Sequence, residues 1–406
     1  NSFIQKISEP IFGSPHFVSY EASYFSANYL RNILNAYSIY KKLKDKKNIT
    51  ILEIGAGYGV LSNILHQVLD IKQYLIIDLP ENLYLSSIYL PATLEKPIGF
   101  YDTKNVIDTP LIGCLPEHIN NIDINFDIVI NTNSFGEIPV NVVDKYLKLS
   151  KRVLKKDGLI YSHNRIHTHN NSNCPEFSDY LIDGLKINKM NQSPCNTDFY
   201  FHLHHIVFME KGENKISKEY LNVLGELSHF GLLHKIKDDV DAFISNNGNF
   251  NIKENESKKF FKLMVLFFEE RCVKKKYELL LNNKLIDERF QSIILHFIIL
   301  LEFINGNLSQ KTINLYLKLN ILENIYNSYD GLLILIIASK HNYFERQKML
   351  NGIKTSRLKH YYIDGVNLFE NPHSGRFVFL KKLVSLFFPS CKNRELKSFI
   401  ENRFFN

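Results

Sequence analysis

At 406 residues, with 45% hydrophobic and 22% charged side chains, the chain exceeds one average domain and can fill two cores, which excludes a disordered or fibrous protein. Its 49 basic and 42 acidic residues leave a formal charge of +7, a modest excess that reads as a solvated basic surface rather than a polyanion-binding one. Five scattered cysteines (Cys114, Cys174, Cys195, Cys272 and Cys391), with no CxxC, exclude a disulfide framework and a cysteine zinc site and fit a reducing compartment.

In chain order, residues 1–48 are expected to form an N-terminal helical cap. Tyr20–Leu43 has helical apolar periodicity and ends in the basic, solvated "KKLKDKK". From Ile49 to about Gly158, strand-like and helix-like segments alternate. "ITILEIGA" is a buried strand, "VLSNILHQVL" an amphipathic helix and "QYLIID" a second strand. "LIGCLP" and "FDIVINT" are a third and fourth strand. "VVDKYLKLSKRVLKKDG" is a helix closed by Lys-Asp-Gly, and "LIYSHN" is a fifth strand. Strands rich in Ile, Val and Leu between helices predict a parallel sheet buried on both faces. "HIVFMEK" (His205–Lys211) closes it. The expected fold class is therefore α/β over residues 49–212, Rossmann-like, followed by a separate all-helical domain over 213–406, where only helical periodicity survives. The longest apolar runs, Ile293–Leu301 and Gly331–Ala338, fall short of the roughly 18 residues a membrane span needs. No signal-peptide apolar region is visible either, so the expected location is cytoplasmic.

In "EIGAGYG", Gly55, Gly57 and Gly59 follow a strand and precede a helix. Alone, such spacing serves a ligand-free turn as well as a nucleotide grip. Glu53 lies two residues before the first glycine, at the carboxyl edge where open parallel sheets bind ligands. Asp78 ends the second strand, where a carboxylate can accept ribose hydroxyls. A dinucleotide site needs GxGxxG so that a helix N-terminus can meet the pyrophosphate. Here the third glycine comes one position early, and Glu53 would repel a phosphate but welcome a cation. A ligand with a ribose, an adenine and a positive charge but no phosphate is S-adenosyl-L-methionine.

At these residues the chain resembles class I methyltransferases: "ILEIGAGYG" matches their first motif, "LIIDLP" their second-strand acid and "FDIVINTNSFGEIP" their fourth-strand motif. With "YGVLSNIL" and the early "ISEPIFGSP", it is similar in particular to bacterial sugar O-methyltransferases of surface-polysaccharide biosynthesis, over about Ile7–Lys211. The resemblance implies cofactor roles for Glu53, Gly55, Ala56, Gly57, Gly59, Asp78, Leu79, Glu117, His118, Asn131 and Asn133. The glycine loop would wrap the methionine part and Asp78 would bind the ribose. Pro116, Glu117 and His118 would lie near adenine, and Asn131–Ser134 would line the floor beneath the sulfonium.

Methyl transfer is an in-line displacement, and a sugar hydroxyl is a poor nucleophile until its proton is leaving. The fourth-strand loop reads Asn131-Thr132-Asn133-Ser134-Phe135, without the Asn/Asp-Pro-Pro-aromatic of adenine and glutamine N-methylases, and suits hydrogen bonds to hydroxyls. Candidate bases are Glu137, His163 and His167, with His169 behind them. Ser134, Asn164 and Arg165 are candidate substrate ligands. No metal is expected: His202, His204 and His205 cluster in "FHLHH", but no carboxylate completes a ligand pattern. Phe12–Asn32 is a candidate lid, carried by Tyr20, Tyr24 and Arg31. The expected partners are a sugar nucleotide or glycan as substrate, and a second copy or glycan-assembly enzymes through 213–406. Nucleic acid is not the expected partner. A non-catalytic cofactor-binding scaffold, and methylation of a nucleic acid or phosphate, stay open as alternatives.

Overall fold

The computed structural model describes residues 3–12, 17–20, 23–101, 109–165, 179, 182–192, 204–229, 236–249, 258–262, 264–265, 290–291, 293–295, 309–312 and 314. The chain divides into two units. The first takes residues 1–166, 173–195 and 204–216, and the second takes 167–172, 196–203 and 217–406.

The first unit opens with a two-stranded antiparallel hairpin, β1 (Phe17–Tyr20) and β2 (Ser23–Ser26), followed by helix α1 (Ala27–Leu43). The predicted helix over Tyr20–Leu43 thus starts seven residues late. Ser26 stops it: its backbone is extended, and its hydroxyl accepts the Tyr29 amide at 3.2 Å, capping a free donor of the first turn.

Next come β3 (Ile49–Ile54), α2 (Val60–Val68), β4 (Ile71–Ile77), α3 (Pro80–Leu94), β5 (Ile98–Phe100), β6 (Leu111–Cys114), β7 (Phe126–Thr132), α4 (Val140–Val153), β8 (Leu154–Arg165), β9 (Leu185–Gln192) and β10 (His204–Lys211). Strands β3 to β10 form one sheet in the order β5-β6-β4-β3-β7-β8-β10-β9. The pairs from β5 through β8 are parallel, and β10 runs antiparallel to both β8 and β9. The order reverses between β3 and β7. Connections leave in opposite directions there, which opens a crevice at the carboxyl ends of those two strands.

All six residues of β3 are buried, as a central parallel strand requires. Ile49, Ile51, Tyr74, Ile76, Ile128, Ile130 and Tyr161 share one core with α1 to α3, to which the helices give Ile33, Ile39, Leu61, Ile64, Leu65 and Leu90. The alternate strand residues Leu52, Leu75 and Val129 are buried outside that cluster, as are Val143 and Leu147 of α4.

Two predicted boundaries move. The helix expected to run to Gly158 ends at Val153, and "LKKDG" opens β8 instead. Lys155 is drawn into the strand by Asp127, which it meets at 2.7 Å, while Thr50 donates its amide to the same carboxylate oxygen at 2.9 Å. The short edge strand β5 and the polar strand β9 carry no predicted signal. In β9, Leu185, Ile187 and Met190 are buried among charged neighbours.

The second unit is described in part, and its described residues include α5 (Lys218–His229) and α6 (Lys237–Ser245). Its rings bury against one another: Phe243 meets Phe261 at 5.1 Å between centroids, and Phe260 meets Phe290 at 4.5 Å. The basic-aromatic segments "RCVKKKYELL", "KTSRLKHYY" and "RFVFLKKLVSLFF" lie outside the described residues. Among the described residues, no helix is long and apolar enough to cross a membrane.

Candidate active site at the carboxyl edge of the sheet

The loop between β3 and α2 is built on backbone that only glycine adopts freely. Gly55 has φ +76° and Gly57 φ +59°. A Cβ at Gly55 would stand 2.4 Å from the Ser134 hydroxyl, so this glycine lets β3 and the β7 loop close on each other. A Cβ at Gly57 would meet no described atom within 4 Å, so its bare face opens onto free space.

Asp78 sits at the end of β4 with 7% exposure. Its Oδ2 accepts the Gly57 amide at 2.7 Å, and its Oδ1 accepts the Leu79 amide and the Asn82 side-chain amide, both at 2.8 Å. A carboxylate offers about four acceptor positions, so one on Oδ2 is left for a ligand hydroxyl. Beside it, Leu79 is 58% exposed at the start of α3. Across the edge, Pro116–Asn121 form a short 3-10 turn directly after β6, which puts Glu117 on the surface and His118 half-buried there.

Glu53 is brought to this edge but not to its surface. It is 1% exposed, and the Tyr74 hydroxyl donates to its Oε2 at 2.6 Å. Burial pushes the carboxyl up to about 7; the Tyr74 bond opposes the rise and the negative charge of Asp78 adds to it. Its place is beneath the glycine loop.

On the β7 side, the side chains tie strand ends together. Asn131 donates to the Ile54 carbonyl at 2.8 Å and to the Ser134 hydroxyl. Asn164 donates to Asn131 Oδ1 and to the Ser162 hydroxyl, both at 2.8 Å, and accepts the Phe135 amide at 3.1 Å. Asn133 takes a left-handed φ of +61° and donates its amide to the His163 carbonyl at 2.8 Å, and its buried Oδ1 has no hydrogen-bond partner among the described residues. Glu137 ends the following 3-10 turn and is exposed.

His163 is 1% exposed near the end of β8, where it pairs with Thr132. Its Nδ1 lies 2.5 Å from Asn35 Oδ1 of α1, which also accepts the Tyr161 hydroxyl at 2.9 Å. The N-terminal segment reaches the glycine loop elsewhere: Asn28 donates to the Tyr58 hydroxyl at 3.0 Å, and Tyr58 and Phe12 both set edges against Tyr89. Asn28 and Phe12 belong to the expected lid segment Phe12–Asn32, but Tyr24 and Arg31 take no part in these contacts. Tyr24 is 66% exposed, Arg31 is exposed, and the Tyr20 side chain is outside the described residues.

The sheet therefore gathers Glu53, Gly55, Ala56, Gly57, Gly59, Asp78 and Leu79 on its β3–β4 side, Glu117 and His118 after β6, and Asn131, Asn133, Ser134, Glu137, His163 and Asn164 on its β7–β8 side. His167, His169 and His202 lie outside the described residues, as do the side chains of Arg165, His204 and His205, whose backbones belong to β8 and β10. Among the described residues, no group of three His, Cys, Asp or Glu side chains is placed to hold a metal ion. Sequence reading missed Asn35, Tyr74 and Asn82. Only Asn35 carried a signal, as a polar residue one turn from the fully buried Ile39 on an amphipathic helix.

No protein-family model matches the sequence. Over 132 residues, the chain is 26% identical to the ribosomal RNA small subunit methyltransferase A of Hydrogenobaculum sp. (strain Y04AAS1). The match takes in 32% of this chain and 46% of that protein, so the chain spans just under half the length of this curated relative. Among solved structures, an S-adenosylmethionine-dependent methyltransferase from Clostridium acetobutylicum overlays with a TM-score of 0.34 at 14% identity, covering 45% of this chain and 92% of that one. Magnesium protoporphyrin IX methyltransferase from Synechocystis, solved with bound S-adenosylmethionine, gives 0.32 at 11% identity, covering 45% and 81%.

Proposed function

We propose that residues 49–212, capped by residues 1–48, transfer a methyl group from S-adenosyl-L-methionine to a hydroxyl of a sugar or glycan. The observation that carries the donor half is the Gly57–Asp78 pair at the switch in strand order: a glycine face open to a ligand, held by a carboxylate that keeps one acceptor position. A ribose hydroxyl fits that position. Leu79 offers an apolar surface to a purine, and His118 stands on the same side. Bound there, the donor supplies a methyl carbon on a sulfonium, activated for in-line attack. The chain's own work is to hold the acceptor in line, keep water out and take up a proton.

For the acceptor, the loop after β7 favours a hydroxyl-rich molecule, since it has no planar clamp and Asn133 keeps a neutral Oδ1 without a hydrogen-bond partner among the described residues. Glu137 and His163 are the base candidates among the described residues. Residues 213–406 would then hold a second copy or an enzyme of glycan assembly.

The test is incubation of the full chain with methyl-labelled donor and a panel of bacterial sugar nucleotides and glycans, with ribosomal RNA alongside. Label in a sugar supports the reading. A second reading, methyl transfer to RNA, is favoured by the ribosomal RNA methyltransferase relative, and label in RNA alone would establish it instead. Absence of donor binding by calorimetry would sink both.

A further inference from the structure

The amino edge of the sheet, opposite the crevice, carries a charged groove. Strand β10 runs eight residues from one edge to the other. At about 3.3 Å per residue, that sets the groove roughly 25 Å from the carboxyl-edge site. The end of α4, the turn before β9 and the end of β10 border a space of about 800 Å³. Its lining holds four cations, Lys148, Lys151, Arg152 and Lys211, against two acids, Asp144 and Asp183. Lys148 is neutralised by Asp144 at 2.6 Å. Among the described residues, the other three cations meet no carboxylate in an ion pair.

Backbone carbonyls hold them instead. Lys151 donates to the Asp183 carbonyl at 2.6 Å, Arg152 to those of Ile119 at 2.8 Å and Ile122, and Lys211 to that of Leu154. A carbonyl fixes an ammonium in place without cancelling its charge. An ammonium has three N–H donors and a guanidinium five, so each cation keeps donors beyond these bonds. Gly184 makes room for the arrangement: a Cβ there would stand 2.5 Å from Lys151 Cε and Nζ. Lys151 and Arg152 also complement the negative end of α4, as last-turn cations do. That account leaves out Lys211, which arrives from β10.

We propose that this groove is an anion site for two adjoining phosphate groups, as in a free diphosphate or along a phosphodiester chain. A single phosphate would leave most of the space empty. Among the described residues of the lining, Ile182 is the one apolar side chain and no aromatic ring is present, so charge and N–H donors carry the recognition. Cations already pinned by carbonyls lose little freedom when a ligand arrives, which favours binding. The site does not rest on methyl transfer, since its residues lie apart from the carboxyl edge.

The test is calorimetry on the full chain at low salt, with inorganic pyrophosphate, a nucleoside diphosphate and a single-stranded RNA oligonucleotide as separate probes. At least one should bind the wild type, more weakly as salt rises. The double variant Lys151→Gln, Lys211→Gln should lose at least tenfold in that affinity, with its urea midpoint confirming that it folds. Lys211→Gln alone, which leaves α4 untouched, should lose at least threefold. Binding of pyrophosphate or the nucleotide identifies a free diphosphate as the ligand, and binding of RNA alone identifies a phosphodiester chain. A wild type that binds none of the three, or an affinity unchanged in Lys211→Gln or in the folded double variant, would overturn the site.

Discussion

The two sides of the carboxyl edge are built by different means. On the β3–β4 side, backbone does most of the holding: three glycines turn the loop at positive φ, and the Gly57 and Leu79 amides converge with the Asn82 side chain on one carboxylate, Asp78. On the β7–β8 side, side chains do it: Asn131, Ser134, Ser162 and Asn164 bond to one another, and Asn35 reaches across from α1. The first arrangement suits a constant ligand, whose shape the chain can match with fixed backbone. The second locks the strand ends to each other, so that its buried amides serve the frame of the site.

That difference can be broken most severely at Gly55. Gly55→Ala adds a Cβ 2.4 Å from Ser134 Oγ and 2.6 Å from Ser134 Cβ, on a backbone at φ +76°. Overpacking and left-handed strain together should cost about 3 kcal/mol or more in urea unfolding. Gly57→Ala, where the space is open, should cost only about 1 kcal/mol of stability, yet weaken donor binding at least tenfold because the methyl fills the open face. Equal stability losses for the two would erase the distinction between a glycine that admits a neighbouring strand and one that admits a ligand. Asp78→Ala removes the anchor of the loop and the last acceptor position together. Donor affinity by calorimetry should fall about a hundredfold, or about 2.7 kcal/mol.

The same contrast explains what the sequence made legible. Positive-φ turns need glycine, and the carboxylate that ties them follows the next strand, so Gly55, Gly57 and Asp78 leave a local trace in spacing. The alternation of apolar strands and helices placed β3, β4, β6, β7 and β8 for the same reason. Asn35 and His163 meet only because α1 crosses the sheet, and no local pattern records a contact of that separation. Tyr74 reads as one more aromatic in a strand. Its hydroxyl matters because Glu53 lies on the neighbouring strand, two positions along from its register partner Ile51 and on the same face of the sheet. The late start of α1 and the early end of α4 came from one hydroxyl cap and one ion pair, each a single side chain that outweighed helical periodicity.

On the side-chain side, Asn164→Ala removes its bonds to the Phe135 amide, Asn131 Oδ1 and the Ser162 hydroxyl in a buried place, leaving the 3.3 Å bond from the Phe135 amide to Asn131 Oδ1. About 2 to 3 kcal/mol of stability should be lost, measured by urea unfolding. Glu53→Gln tests the buried acid on the other side. Its folded value near 7 stands above the ordinary 4.5, so between those values the unfolded chain gives up its proton first. Wild-type stability therefore declines as pH rises through that window, and the neutral amide escapes the decline. The variant should gain on the order of 2 kcal/mol at pH 8 and nothing below about pH 4.5. A gain of equal size at both ends would show that the carboxyl is not the group responsible.

The smallest effect on the fold, and the sharpest on the choice of base, is expected at Glu137. Its side chain is exposed, and its backbone amide, which donates to the Ser134 carbonyl at 3.0 Å, is untouched by substitution. Glu137→Gln should thus shift unfolding by no more than about 0.5 kcal/mol, as surface changes do. If the exposed carboxylate takes the proton, turnover falls by about a hundredfold or more while donor affinity holds. If His163 takes it, Glu137→Gln keeps most of its activity, and the loss appears in His163→Gln instead. The two variants assayed with one labelled acceptor therefore separate a base supplied by the surface loop from one supplied by the buried β8–α1 contact.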